Sequence, residues 1–289
     1  SIKKNISPYT RAIIAVDIFG QSCDIEEIID IAKKNNIKVI GDSAQSPGTK
    51  INEKVTGTLC DVGGFSLNRH KHIQTGEGGI CVTNSKKIYE KLLLIRNHAE
   101  AVLNNRKNYD LQNMIGYNFR MGEIEAAMGI EQLKKMDKLV QKKRLSAELL
   151  SKELSDIEEI ELPYKRENCS HAYYMFPMKL NTKKITVKRS KIKIALEAEG
   201  VQGLAEGYIN VHRFPMFQKK ISYGKTGFPW SSELCKRDID YSVGICPVAE
   251  ELQDQSYLGF EICEYDLNTE DIILIGKAFK KVFSQLKEL

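Results

Sequence analysis

The spacing of apolar residues along the first part of the chain predicts an α/β architecture. Residues 12–16 (AIIAV) and 37–40 (IKVI) are short apolar, β-branched runs, which are typical of strands covered on both faces in a parallel sheet. Between them, apolar residues recur at helical spacing, at Ile25, Ile28, Ile29 and Ala32. Asp24 and Glu27 are spaced as a capping box at the start of this helix. Together these segments predict a strand–helix–strand crossover.

Two further strands and one helix are predicted before residue 97. Residues 62–65 and 79–83 form short apolar runs, and Asn84 is placed to cap a helix that ends near Arg96. Residues 97–115 are polar and lack periodicity, so they predict a surface loop of the length that often covers a functional site.

The longest helical pattern of the chain follows residues 116–121 and predicts a helix shared by two domains. Its apolar positions are Ile124, Ala127, Met128, Leu133, Met136 and Val140. We place the boundary there, with a large domain at residues 1–136 and a smaller α+β domain at 137–289. In the second domain we expect a strand at 171–180 and helices at 188–199 and 271–286.

Composition excludes several classes of protein. Of 289 residues, 42% are hydrophobic and 28% charged, which is ordinary for a soluble protein. The net charge of +5 is spread along the chain without interleaved aromatics, so no nucleic-acid partner is expected. No apolar run is long enough to cross a bilayer and the first residues lack a signal-peptide core, so we expect no membrane partner and a cytoplasmic location. Seven cysteines without a Cys-x-x-Cys pair argue against disulfides and against a metal site.

Two polar stretches carry the candidate chemistry, since each directly follows a predicted strand. Asp42 follows the second strand, where a carboxylate is placed either for chemistry or as a turn cap. Ser66 and Lys71 follow the strand at 62–65, ahead of the glycine-rich residues 76–79. Lys71 is either a reactive amine displayed by the sheet or an ordinary solvated charge.

Two other polar groups favour structural interpretations. The basic run at 188–191 suits a solvated helix face better than a site for an anionic substrate. His212 and Arg213 are candidates for substrate contacts, although a packed loop is the favoured interpretation.

Several ordered motifs resemble the DegT/StrS family of sugar aminotransferases, which depend on pyridoxal phosphate. The matching segments are AIIAVDIFGQ at 12–21, VIGDSAQ at 39–45, GGFSLNRHKHIQTGEGG at 63–79, RNH at 96–98, GYNFRMGEIEAAMG at 116–129 and ICPVAEEL at 245–252. The resemblance covers essentially the whole chain. It implies the aspartate-aminotransferase fold (fold type I): a large α/β domain with a mostly parallel sheet and a smaller α+β domain.

The resemblance assigns roles position by position. Lys71 matches the catalytic lysine that forms a Schiff base with the cofactor, and Ser66 matches the serine that binds the cofactor phosphate. Asp42 matches the aspartate beside the pyridine nitrogen, and Gln45 a glutamine near the ring hydroxyl. Asn118 lies in the motif whose asparagine reaches the phosphate of the neighbouring subunit, so a homodimer with shared active sites is implied.

The implied reaction moves an amino group from glutamate or glutamine to a keto sugar, typically nucleotide-linked, in surface-polysaccharide or amino-sugar biosynthesis. The family has a further N-terminal stretch that binds the phosphate, so we expect this large domain to be incomplete and, taken alone, to bind the cofactor weakly or not at all. Ser43 replaces a frequent alanine and is expected under the ring. A second hypothesis is a catalytically incompetent fragment or a regulatory homologue. A third, a generic nucleotide-binding protein, is disfavoured because no Gly-x-Gly-x-x-Gly follows the first strand.

Overall fold

The computed structural model describes residues 1–100 and 114–289, and the contacts among them divide the chain into two units. Unit 1 consists of Ser1–Glu148, Tyr164–Met175 and Ile262–Leu267. Unit 2 consists of Leu149–Pro163, Phe176–Glu261 and Asn268–Leu289. Most of the loop predicted at 97–115 lies outside the described residues.

The predicted strands and helices occur in the predicted order, and the structure adds several short elements that were not predicted. The strands are β1 (Ala12–Val16), β2 (Lys38–Asp42), β3 (Lys50–Ile51), β4 (Lys54–Val55), β5 (Val62–Ser66), β6 (Gly79–Val82), β7 (Ile160–Glu161), β8 (Phe176–Leu180), β9 (Leu204–Ala205) and β10 (Tyr257–Phe260). The helices are α1 (Ile2–Asn5), α2 (Ile25–Lys34), α3 (Lys86–Arg96), α4 (Glu123–Leu154), α5 (Arg189–Ala198), α6 (Pro215–Gln218), α7 (Pro247–Glu251) and α8 (Thr269–Ser284).

The boundary between unit 1 and unit 2 falls inside helix α4, between Glu148 and Leu149. The division predicted from the sequence, 1–136 and 137–289, falls in the same helix but is not the division that the contacts give. Helix α4 runs unbroken for 32 residues, so no local sequence signal marks the change. Contacts that are distant in sequence decide it, since two later segments also return to unit 1.

The main sheet of unit 1 has the order β1-β2-β5-β6. Strands β1, β2 and β5 are parallel, and β6 is antiparallel to β5. The apolar face of α2 packs on this sheet, where Ile25 and Ala32 are 1% exposed and Val39 is 2% exposed. Burying a side chain such as Ile25 contributes about 1.5–3 kcal/mol, so the helix is fixed against the sheet. The predicted crossover is thus confirmed, and Asp42 and Ser66 end two neighbouring parallel strands.

One face of β1 is exposed, contrary to the expectation of a strand covered on both faces. Ile14 is 65% exposed and Val16 43%, whereas Ala15 between them is buried. Side chains alternate between the two faces of a strand, and α2 covers only the face that carries Ala15. The described residues leave the opposite face of β1 open.

Two helix starts differ from their predictions. Asp24 occupies the cap position of α2 but makes no side-chain cap hydrogen bond, because its carboxylate pairs with Arg166 at 2.8 Å. The predicted capping box is therefore wrong. Helix α3 is capped by Ser85, whose Oγ accepts from the N–H of Ile88 at 3.4 Å, and not by Asn84.

The strand predicted at 171–180 is formed only by its second half, β8. The segment before β8 is held by a turn at Phe19 and Gly20: the N–H of Ala172 donates to Gly20 O at 2.7 Å, and that of Tyr174 to Phe19 O at 2.9 Å. Gly20 has φ +108, and a Cβ there would lie 2.6 Å from the nitrogen of Tyr173. A side chain at position 20 would therefore break this contact.

Unit 2 is an α+β unit built on an antiparallel sheet of order β7-β8-β10-β9. Its core contains the fully buried Phe176, Leu258 and Phe279. Arg189, in the basic run at 188–191, is not the solvated residue that the sequence suggests, because its side chain is 11% exposed and pairs with Glu206 at 3.1 Å. Its guanidinium also donates to three backbone carbonyls, those of Leu252, Gln253 and Tyr257. The five donors of arginine explain why one side chain can pin this turn.

Candidate active site

A cavity of about 1020 Å³ opens beside the main sheet of unit 1. Asp42 and Ser66 lie in its wall, together with apolar residues such as Ile80, Leu92 and Phe119. A cavity of this kind, mostly apolar with a few polar groups at one end, is typical of a site for a small organic ligand. Its polar end coincides with the carboxyl ends of two parallel strands, where α/β sheets bind their ligands.

Asp42 and Ser66 each accept one hydrogen bond from the backbone of the turn that follows them. Asp42 Oδ1 accepts from the N–H of Ala44 at 3.2 Å, and Ser66 Oγ accepts from that of Asn68 at 3.2 Å. Both groups retain capacity, since a carboxylate has a second oxygen and a hydroxyl that accepts still has a proton to donate. One carboxylate oxygen of Asp42 therefore caps the turn, as one of the two interpretations predicted, and the other oxygen can bind a ligand.

Lys71 is half-buried, and its Nζ lies 4.1 Å from the centre of the Tyr174 ring. Burial lowers the pKa of Lys71, while the negative charges of a Cys263 thiolate and of Asp42 act in the opposite direction. Burial also raises the pKa of Cys263 to about 12, so this thiol is neutral at ordinary pH and Asp42 supplies the opposing charge. A lowered pKa increases the fraction of free amine, the nucleophilic form of lysine.

The residues on both sides of Lys71 are anchored. His70 Nδ1 lies 2.5 Å from Glu264 Oε1. His72 is buried, and its Nε2 lies 2.8 Å from Ala172 O, which requires the proton to be on Nε2. Burial lowers the pKa of His72 to about 4, so the ring is neutral at pH 7. These two contacts fix the backbone on either side of the amine.

The other two predicted site residues have different surroundings. Gln45 Oε1 accepts from the N–H of Phe19 at 2.7 Å, which ties Gln45 to the turn that also holds Tyr174. Asn118 is exposed and pairs through its backbone with Asn97. The structure therefore places Asp42 and Ser66 in the wall of the cavity, and Asp42 close enough to Lys71 to act on its charge, whereas Lys71, Gln45 and Asn118 are not among the residues that line the cavity.

A buried carboxylate lies beneath the Asp42 turn. Asp17 is 2% exposed, and its oxygens accept from Ser43 Oγ at 2.6 Å, Thr56 Oγ1 at 2.6 Å and the N–H of Cys23 at 2.9 Å. Ser43 is completely buried, so it does not lie under a ring in the cavity as the sequence suggested. Neighbouring side chains point to opposite sides of an extended chain, and Asp42 already faces the cavity.

Several of these residues were missed from the sequence. Tyr174, Cys263 and Glu264 lie far from Lys71 along the chain, and no local pattern connects them. Asp17, in contrast, directly follows the strand at 12–16, which is the same signal that drew attention to Asp42.

His212 and Arg213, considered as substrate contacts, are occupied within unit 2. Glu250, 6% exposed, lies 2.9 Å from His212 Nε2 and accepts from Arg213 Nη2 at 3.1 Å. Arg213 also binds both oxygens of Asp254. Burial raises the pKa of Glu250, but hydrogen bonds from the N–H groups of Cys246 and Gly244 and from these two side chains lower it to about 2. The hydrogen bonds thus support the packed-loop interpretation.

The described part of the chain holds no group of three or more His, Cys, Asp or Glu side chains arranged to bind a metal ion. All seven cysteines are free thiols. Within residues 1–100 and 114–289, no helix combines the length and apolarity needed to cross a membrane.

A family model described as the DegT/DnrJ/EryC1/StrS aminotransferase family matches residues 1–254. The chain is 33% identical to a GDP-perosamine synthase of Vibrio cholerae, over 83% of this chain and 63% of that protein. It is 27% identical to the spore coat polysaccharide biosynthesis protein SpsC of Bacillus subtilis (strain 168), over 81% of this chain and 62% of that protein. The structure of an aminotransferase from Psychrobacter cryohalolentis matches with a TM-score of 0.80 at 23% identity, covering 99% of this chain and 72% of that chain.

These matches confirm the resemblance and the fold class predicted from the sequence. The solved aminotransferase shares the α/β fold over nearly the whole chain. The chain spans less than two thirds of the length of the two curated relatives.

Proposed function

Because the chain belongs to the DegT/DnrJ/EryC1/StrS aminotransferase family, we propose that it acts in the transfer of an amino group to a keto sugar. The donor is glutamate or glutamine, and the acceptor is a nucleotide-linked keto sugar. Two relatives support this choice by name, since GDP-perosamine is a nucleotide-linked sugar and SpsC is a polysaccharide biosynthesis protein. The product accordingly belongs to amino-sugar or surface-polysaccharide biosynthesis.

The observation that carries the proposal is the setting of Lys71. Its amine is half-buried with a lowered pKa, and the Asp42 carboxylate is close enough to act on it electrostatically. Asp42 and Ser66 line the same cavity of about 1020 Å³, which is large enough for a substituted pyridine ring. A reactive amine, a carboxylate and a hydroxyl donor suit the aldehyde, the ring nitrogen and the phosphate of pyridoxal phosphate, so these residues fit the cofactor.

When bound, pyridoxal phosphate supplies an aldehyde and an electron-withdrawing pyridinium ring. Lys71 Nζ would hold the cofactor covalently until the amine of the donor replaces it, and the freed amine of Lys71 would then accept the proton from the α-carbon of the donor. The Asp42 carboxylate would keep the ring nitrogen protonated, because an adjacent negative charge favours the cation. Ser66 Oγ would donate a hydrogen bond to the phosphate.

Gln45, Asn118 and the assembly complete the proposal. Gln45 would approach the ring hydroxyl from the turn at Phe19. The exposed Asn118 is suited to reach the phosphate site of a second copy, which makes a homodimer with shared sites part of the proposal. A reducing, cytoplasmic setting agrees with the seven free thiols.

The test is covalent capture of the cofactor followed by amino transfer. The chain is incubated with pyridoxal phosphate, reduced with borohydride and digested, and mass spectrometry locates the modified lysine. Reduction makes the adduct permanent, so even weak binding is detected. We expect Lys71 to carry the adduct, and the adduct to be lost in Lys71→Ala but kept in the control Lys50→Ala, which removes an exposed lysine.

Amino transfer separates the proposal from the non-catalytic alternative. Glutamate should convert the bound cofactor to its amine form, which is followed by absorbance. An adduct on Lys71 that glutamate leaves unchanged would favour a regulatory homologue. Modification spread over surface lysines, with none at Lys71, would refute the assignment of the site.

A further inference from the structure

A tyrosine that no sequence motif identifies faces the proposed catalytic amine. Lys71 Nζ lies 4.1 Å from the ring centre of Tyr174, well within the distance at which a ring face attracts a cation. We propose that Tyr174 is a positioning residue for Lys71, whose ring face binds the ammonium group and fixes the direction of the side chain before a ligand arrives. The inference deepens the proposed function and rests on it.

Tyr174 is suited to this role because its backbone is anchored, both at the residue itself and two residues before it. Its own N–H donates to Phe19 O at 2.9 Å, and the N–H of Ala172 donates to Gly20 O at 2.7 Å. The carbonyl of Ala172 in turn lies 2.8 Å from Nε2 of His72, the residue after Lys71. The Tyr174 ring and the Lys71 amine therefore belong to two segments that are joined by a hydrogen bond, and the fold sets the distance between them.

Among the other described groups near the Lys71 amine, only Asp42 carries a charge at pH 7. Cys263 and His72 are near the amine, but the raised pKa of Cys263, about 12, and the lowered pKa of His72, about 4, make both neutral at pH 7. Asp42 is the charged group that acts on the amine. A flexible lysine attracted by one carboxylate alone can adopt many rotamers, whereas a second, apolar contact restricts it.

The ring face stabilises the charged form of Lys71, and this provides a measurement that needs no cofactor. Competitive acetylation with acetic anhydride is followed by mass spectrometry of the Lys71 peptide as a function of pH, with the exposed Lys50 of the same molecule as internal reference. Removal of the ring in Tyr174→Leu should move the acetylation profile of Lys71 to lower pH. At pH 7 the amine should then react about three- to tenfold faster, as the usual strength of a cation–π contact predicts. Tyr174→Phe keeps the ring face and should keep the profile.

Two further variants distinguish positioning from packing. Pentafluorophenylalanine at position 174 keeps the ring shape but reverses its quadrupole, so the profile should shift as in Tyr174→Leu even if the leucine variant fails to fold. Tyr173→Leu removes the neighbouring ring, which stacks on His171, and should leave the profile in place.

Two results would overturn the proposal: an unchanged profile in the fluorinated variant, or an equal shift in Tyr174→Phe. Neither depends on amino transfer. Cofactor adducts on surface lysines with none at Lys71 would refute the proposed function while still giving this measurement.

Discussion

The buried carboxylate of Asp17 leads to a quantitative prediction about the Asp42 turn. The change is Asp17→Asn, which keeps the size of the side chain and replaces one acceptor oxygen by an NH2 donor. Asp17 is 2% exposed and accepts three hydrogen bonds, two from hydroxyls on one oxygen and one from a backbone N–H on the other. If the NH2 group faces the N–H of Cys23, two donors meet; if it faces the hydroxyls of Ser43 and Thr56, both hydroxyls lose the acceptor to which they donate.

The magnitude follows from the bonds that are lost. A hydrogen bond to a charged group contributes about 1.5–3 kcal/mol, and a buried donor left without an acceptor costs about 1–3 kcal/mol. The removal of a buried charge offsets part of this loss. We therefore expect Asp17→Asn to lower the free energy of unfolding by about 2–4 kcal/mol, a fall in Tm of about 5–15 °C.

The assay is urea unfolding followed by circular dichroism, with Asp30→Asn as the matched control on the exposed side of α2. The control should stay within about 0.5 kcal/mol of the unchanged chain. Ser43→Ala tests the partner: it should be destabilising alone and nearly neutral when Asp17 is already asparagine. Equal stability of Asp17→Asn and the control, or strict additivity in the double variant, would refute the reasoning.

Two further predictions concern single side chains. Arg189→Lys should lower the free energy of unfolding by about 1–3 kcal/mol, because lysine cannot reach several carbonyls at once. Urea unfolding measures the loss, with the exposed Lys188→Arg as the control. Equal losses of stability in the two variants would contradict the prediction. His72 has a folded pKa of about 4 against an ordinary value of 6.5, so its protonation favours the unfolded chain, and stability should fall as the pH drops from 6.5 towards 4. Urea unfolding across that pH range measures the effect: in His72→Gln the free energy of unfolding should depend less steeply on pH, by up to about 1.4 kcal/mol per pH unit. Part of the pH dependence should remain because of His171, whose pKa is lowered to about 3. An unchanged slope in His72→Gln would show that His72 does not cause the pH dependence.

Local patterns predicted those features that depend on local physics. Helical spacing located α2, and short apolar runs located β1, β2 and β5 to within two residues. Asp42 and Ser66 each follow one of these runs, and the carboxyl ends of neighbouring parallel strands meet at one edge of a sheet. The same patterns therefore account for the position of both residues at the polar end of the cavity.

Features that depend on distant contacts were not predictable. Asp24 has the spacing of a helix cap, but its carboxylate forms an ion pair with Arg166, which lies far along the chain. Ile14 and Val16 have the sequence of a covered strand, and only the packing of α2 shows which face is covered. Tyr174 lies in a run that reads as a strand, and its role depends on bonds to the turn at Phe19.

The division of unit 1 into three stretches of chain has a consequence for synthesis on the ribosome. Its last stretch, Ile262–Leu267, contains both Cys263 and Glu264, so the surroundings of Lys71 are complete only after Glu264 has been made, long after Lys71 itself. At usual rates of elongation, Glu148 precedes this stretch by a time on the order of 10 s. The strands of the main sheet therefore emerge well before the residues that influence the pKa of the Lys71 amine.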